Sequence, residues 1–223
     1  MPPRPISKSQ YAEVSDELLH FTGRRGTSGP HVPQRILEMT AEDRLASIVR
    51  DGQIRAFHVF GNDALPVVCF SEASPRHASD LISVARWSPW AIGFTRLYVY
   101  DRGGGPAHYV RHDDWSSYWK RAPARQRAFG IQFSPGEAEV PAAKAGIKNW
   151  LHEREWRLPS EDAQGLRFTL MQITVLLTAK PLEEFLTKAR IDGSRIRLLM
   201  SQLHREEQPQ PQGYFEYRCR FIG

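Results

Sequence analysis

The chain has 223 residues, 41% of them hydrophobic and 25% charged, enough to bury a core and near the size at which one domain suffices. No apolar run approaches the roughly 20 residues of a membrane span, and Met1-Pro-Pro-Arg-Pro5 lacks the apolar core of a signal peptide, so a cytoplasmic protein with no membrane partner is expected. The net charge of +5 admits an anionic partner such as nucleic acid or a phosphorylated cofactor, although the excess is spread along the chain. Cys69 and Cys219 sit in apolar or alternating stretches, which predicts buried, reduced thiols. His108 and His112 have no Cys or carboxylate at metal spacing, so no metal site is expected.

Residues 1–14 read as a loose N-terminal arm and 15–223 as a single domain. Glu17-Leu-Leu-His-Phe-Thr22 predicts a short strand, followed by a glycine-rich loop over 23–32. Thr40-Ala-Glu-Asp43 has the N-cap pattern of a helix, Leu45, Ile48 and Val49 fall at helical spacing, and Gly52 supplies the stop. Val67 to Ser71 predicts a buried strand, 76–86 a helix, Ala91 to Thr95 a strand and His108 to Arg111 another. Trp115 to Arg127 mixes aromatic and basic residues and reads as a partly buried surface helix with no ligand. Phe168 to Thr178 predicts a central strand, and Pro181 to Arg190 a helix with early acids and late cations. Two further strands are expected at Arg195 to Met200 and Tyr214 to Ile222, separated by a polar loop around 206–213.

Four segments carry candidate chemistry: Leu19-His-Phe-Thr22, Val68-Cys-Phe-Ser-Glu72, Trp90 to Arg96 with Gly105-Pro-Ala-His-Tyr-Val110, and His152-Glu-Arg-Glu-Trp-Arg157. In this order they resemble the AbiGi-type abortive-infection (phage-resistance) proteins, over about residues 18–178. The same order is similar to an ADP-ribosyltransferase scaffold, in which an early His holds the ribose of NAD, a second strand carries Ser, Thr or Tyr, and a late Glu sits opposite. Arg76, in Ala73-Ser-Pro-Arg76, is similar to an arginine of the DNA-modifying DarT family, at a different spacing.

The resemblance implies an α+β fold with a split, mainly antiparallel sheet and flanking helices, its cleft lying between the His20 strand and the Glu155 strand. It implies NAD as substrate and a toxin or phage-defence effector that transfers ADP-ribose to nucleic acid or protein, with a cognate antitoxin as candidate partner. Glu155 is the expected catalytic carboxylate and Glu153 its reserve, since a carboxylate stabilises the oxocarbenium character that develops as the nicotinamide bond breaks. His20, Phe21, Thr22, Ser71, Glu72, Arg76, Arg96, Tyr109 and Arg157 are the expected NAD-binding residues, with arginine suited to the pyrophosphate.

Other readings stay open. His20 reads equally as a half-buried core histidine, Glu72 as a helix cap, Tyr109 as core, and Glu153 to Arg157 as an exposed ion-pair ladder. At the level of function the alternatives are a non-catalytic sensor or antitoxin module and an RNA 2′-phosphotransferase-like enzyme, whose set of arginines is not clearly present.

Overall fold

A computed structural model describes residues 15–23, 32–59, 62–83, 87–133, 154–195, 197, 203–205 and 213–219. The expected arm at 1–14, most of the loop over 23–32 and loop residues 206–212 lie outside them.

In chain order, β1 (Glu17–Phe21) is followed by α1 (Gln34–Leu37), α2 (Ala41–Asp51), β2 (Gln53–Ile54), β3 (Phe57–Val59), β4 (Asn62–Glu72), α3 (Pro75–Ser83), β5 (Ala91–Thr95) and α4 (Arg96–Tyr100). Then come β6 (Gly105–Pro106), β7 (His108–Arg111), α5 (His112–Ser117), α6 (Ala124–Ala128), β8 (Gly130–Phe133) and β9 (Glu155–Pro159). The chain continues through β10 (Leu166–Arg167), β11 (Val175–Thr178), α7 (Leu182–Lys188), β12 (Leu203–Arg205) and β13 (Phe215–Cys219). The fold is mixed α+β. One sheet runs in the order β12-β13-β11-β5-β1-β4-β9-β6, with β3 also on β4, and its pairings are antiparallel. Among the described residues no helix is long and apolar enough to cross a membrane.

Strand alternation gives this sheet two apolar faces. Leu18, Phe70, Ile92, Phe94, Trp156 and Leu176 pack on one side with Leu45 and Val49 of α2 and Phe185 and Leu186 of α7. Leu19, Phe21, Ala91, Val175 and Leu177 pack on the other with Ala78, Leu81 and Ile82 of α3. Burial on both sides explains why the strands read as continuous apolar runs. The capping box expected for α2 is present: Thr40 Oγ1 accepts from the Asp43 N–H at 3.1 Å, and the Asp43 carboxylate accepts from the Thr40 N–H at 3.3 Å. Gly52, at φ 62°, closes the helix in the left-handed region. On the α3 side Arg218 of β13 reaches Glu17 of β1 and pairs as well with Glu216, so one guanidinium joins two buried carboxylates.

Three expected elements differ. Of the strand expected over Phe168 to Thr178 only Val175–Thr178 is extended, because Thr169 and Gln172 close a capping box around a 3₁₀ turn at Leu170–Gln172. The single helix expected over Trp115 to Arg127 is broken: Tyr118 leaves the helical region at φ −131°, a 3₁₀ turn follows at Trp119–Arg121, and Pro123 starts α6 anew. Of the strand expected over Arg195 to Met200, residues 196 and 198–200 lie outside the described residues, and Arg195 and Arg197 are helical with 193–194, since Asp192 Oδ1 accepts from the N–H groups of Ser194 and Arg195 at 3.0 and 3.1 Å.

Residues 107–133 form a lobe on the main sheet. In it β7 pairs in parallel with β8, and Val110, Trp115 and Trp119 make a small core of their own. Gly130 lets the two indoles close: a Cβ there would stand 2.2 Å from Trp119 Nε1 and 2.6 Å from Trp115. Gly130→Ala is therefore expected to destabilise the protein by about 1–3 kcal/mol in urea unfolding, through overpacking. An unchanged midpoint would show that the indole pair is not tightly seated.

Candidate active site

The strands that carry the three motifs are neighbours in the sheet. Ser71 of β4 pairs with Leu19 of β1 on one side and with Glu155 of β9 on the other. β4 therefore fills the space expected to be a cleft between β1 and β9, and the sheet is continuous through it. It opens elsewhere. β1 pairs with β4 only at Leu18↔Glu72 and Leu19↔Ser71, while β3 takes up the same edge of β4 from Val67 downward. Along residues 68–70 that edge has no strand neighbour among the described residues.

His20 stands at this opening. Its Nδ1 lies 2.9 Å from the Cys69 carbonyl oxygen, a group that can only accept, so Nδ1 carries the proton and Nε2 is left as an acceptor. A strand carbonyl points within the plane of its sheet, so an imidazole bonded to it lies in the gap rather than over either face. Burial pushes the His20 imidazole below its ordinary value, with the Cys69 carbonyl opposing this in part, so the ring is neutral at neutral pH. By alternation His20 belongs to the side of Leu18, 6.0 Å from the Phe70 ring, whereas Ser71 and Glu155 belong to the other side. The structure thus brings Ser71 and Glu155 together and sets His20 one strand away, in the gap.

Glu155 begins β9 directly after Arg154, whose φ of 45° is left-handed and strained for a side-chain-bearing residue. Glu155 Oε1 accepts from Arg157 Nε at 2.8 Å, the two being i and i+2 on one strand face. The exposed ion-pair ladder does not describe this pair, since the Arg157 side chain is 5% exposed and that of Glu155 12%. Arg157 Nη1 also donates to the carbonyls of Ala128 at 3.0 Å and Gly130 at 2.6 Å, which tie β9 to the lobe. Burial opposes the charge of Arg157, but the Glu155 carboxylate, together with Cys69 and Tyr109, more than offsets it and holds the guanidinium above its already high value. Arg157 is therefore committed to Glu155 and two carbonyls, which leaves it poorly placed to hold a pyrophosphate. Beside them, burial together with the Glu155 charge pushes the Tyr109 phenol up to about 12, so it stays protonated well above neutral pH.

The remaining expected residues divide between joints and open positions. Thr22 Oγ1 donates to the carbonyls of Ala41 at 2.7 Å and Trp90 at 3.1 Å, and its own carbonyl accepts from Arg44, so it joins β1 to α2 and β5. Phe21 is core, its ring 5.0 Å from that of Trp87. Glu72 accepts from Trp156 Nε1 at 3.0 Å and pairs with Arg96 at 3.4 Å, while Arg96 also pairs with Asp16 at 3.3 Å. Arg96 is thus held between two carboxylates. Arg76 is exposed in the first turn of α3, four residues past the end of β4. Glu153 and His152 lie outside the described residues. The role of the Cys69 carbonyl has no side-chain signal in the sequence, nor do the Ala128 and Gly130 carbonyls, because backbone acceptors carry none. Among the described residues no group of His, Cys, Asp and Glu is arranged to hold a metal ion.

The His20 environment fixes an acid sensitivity with a definite sign. A base whose folded pKa is depressed contributes stability that is complete above its unfolded value, 6.5, and is lost as pH falls from there toward the folded pKa. His20→Gln, which cannot titrate, is expected to flatten that part of the decline in urea midpoints measured from about pH 7 to 5. An identical decline in both proteins would place the acid-sensitive group elsewhere. No family model matches the chain, and neither a curated protein nor a solved structure does.

Proposed function

We propose that the chain is an ADP-ribosyltransferase that uses NAD as its substrate and acts as a toxin or phage-defence effector. One observation carries the reading: a carboxylate pinned by a buried arginine, Glu155, stands two strands from a neutral histidine set in an opening of the same sheet. Two strand spacings amount to about 10 Å, and because His20 belongs to the Leu18 side of the sheet and Glu155 to the other, the dinucleotide reaches from one to the other through the gap beside β4. His20 Nε2 accepts from a ribose hydroxyl. Glu155 faces the ribose whose C1′–N bond to nicotinamide breaks, the bonding pair leaving with nicotinamide, while the acceptor nucleophile forms the new C1′ bond and loses its proton. The positive charge that builds on the ribose is what the Glu155 carboxylate stabilises. Tyr109, protonated beside Glu155, donates to the same ribose.

The candidate arginines are not equivalent for the diphosphate. Arg157 is buried and committed, and Arg96 is bridged by Asp16 and Glu72, which leaves exposed Arg76 as the diphosphate partner. This economy of available arginines also disfavours the RNA 2′-phosphotransferase-like alternative. The resemblance of the motifs to AbiGi-type proteins supports the defence setting.

Glu155→Gln keeps an oxygen that can accept from Arg157 Nε but removes the charge. Nicotinamide release from NAD by the purified variant is expected to fall on the order of 100-fold with cooperative unfolding retained, and Glu153→Gln is expected to change little. Equal release by wild type and Glu155→Gln would remove the central carboxylate from the mechanism. A wild type that binds NAD without cleaving it would favour the sensor or antitoxin module.

A further inference from the structure

The lobe carries a local run of cations. Between Trp115 and Phe133 stand four cations, Lys120, Arg121, Arg125 and Arg127, and no carboxylate. The break between α5 and α6 sorts these residues by face: Trp115 and Trp119 turn inward to the lobe core, while Lys120, Arg121 and Arg125 are exposed. Tyr118 stands beside them, 56% exposed, its ring edge-on to Trp119 at 6.4 Å. The carboxylates nearest in sequence, Asp113 and Asp114, sit in the first turn of α5, where Asp113 is 4.0 Å from Arg111. Arg125 Nη2 donates to the Gly103 carbonyl at 3.3 Å, which fixes one end of the surface on the turn before β6.

Exposed cations with no carboxylate at ion-pair distance among the described residues repel one another and favour a partner with regularly spaced negative charge, and an exposed phenol beside them offers a stacking platform. The surface is also mechanically tied to the proposed active site, because the Ala128 and Gly130 carbonyls that hold Arg157 belong to the same lobe. We propose that Lys120, Arg121, Arg125 and Tyr118 form a docking surface for single-stranded nucleic acid, which is the acceptor of the reaction proposed above. The identification as acceptor rests on that reading; the docking surface does not. Lys120, Arg121 and Arg125 contact phosphates and Tyr118 stacks on a base, delivering the neighbouring nucleotide toward Glu155.

The test is fluorescence anisotropy of a fluorescein-labelled mixed-sequence DNA of roughly 20 nucleotides, single-stranded or annealed to its complement, titrated with the full chain over a range of salt. Binding to the single strand is expected to weaken with salt. Replacing Lys120, Arg121 and Arg125 together by alanine is expected to lower affinity tenfold or more and to reduce the slope of log K against log salt by about 2, at about 0.7 for each phosphate no longer neutralised. Tyr118→Ala is expected to weaken binding about tenfold with the slope unchanged. Unchanged affinity and slope in the triple variant, tighter binding of the duplex, or preference for an acidic polypeptide such as polyglutamate would each overturn the proposal. Nicotinamide release measured on the same samples keeps the two readings apart. Oligonucleotide binding lost while NAD cleavage persists supports the surface as argued, wild-type cleavage with no oligonucleotide binding overturns the surface alone, and binding without any cleavage leaves the surface standing and overturns the enzyme.

Discussion

One buried guanidinium holds three parts of this molecule in register. Arg157 sits in β9, with its Nε on the Glu155 carboxylate and its Nη1 on the carbonyls of Ala128 and Gly130. A buried charge is tolerated only when paired and fully hydrogen-bonded, so the sheet, the lobe and the carboxylate cannot move independently without exposing that cost. Removing Glu155 or displacing the lobe would each leave the guanidinium short of an acceptor. The constraint also fixes the carboxylate in one rotamer, which an electrostatic group needs if it is to stabilise a developing charge.

The second constraint is the short ladder between β1 and β4. Two residue pairs join the strands before they part, and beyond that point a side chain takes over: the His20 imidazole bonds the Cys69 carbonyl that a strand neighbour would otherwise satisfy. The bond holds the ring in the opening and determines which nitrogen carries the proton. In the proposed function this turns a sheet irregularity into a ribose acceptor, much as bulges and ladder breaks re-aim side chains at functional sites.

Much of the fold was legible where local signals agree with burial. The Thr40-to-Asp43 capping box and Gly52 bound α2, and the apolar run at Ala91 to Thr95 is β5. The signals failed where a short-range hydrogen bond overrode periodicity, as with Thr169 and Gln172 ahead of β11 or Asp192 before the helical residues 193–195. For the site, sequence could pair Glu155 with Arg157 on one strand face, but it could not see that both are buried, because burial comes from the lobe that folds back on β9. Nor could it separate the arginines: Arg76, Arg96 and Arg157 look alike as letters, and only their partners divide an exposed cation from two committed ones. The exposure of Lys120, Arg121 and Arg125 beside two buried indoles follows the break at Tyr118, which the aromatic pattern gave no reason to expect.

The central claim is that NAD binds at the ladder gap beside β4 where His20 stands and reaches Glu155 on the far edge of β4. It is tested most directly by thermal unfolding of the full chain over a range of NAD concentrations, because a ligand that binds the folded state raises the melting temperature by mass action whatever the acceptor. At about 100 times the dissociation constant the stabilisation is about 2.7 kcal/mol, which for a chain of this size corresponds to a rise on the order of 5 °C. The account predicts that saturable rise in the wild type and in Glu155→Gln, and its loss in His20→Ala. A melting temperature indifferent to NAD in the wild type, or an equal rise in His20→Ala, would contradict it.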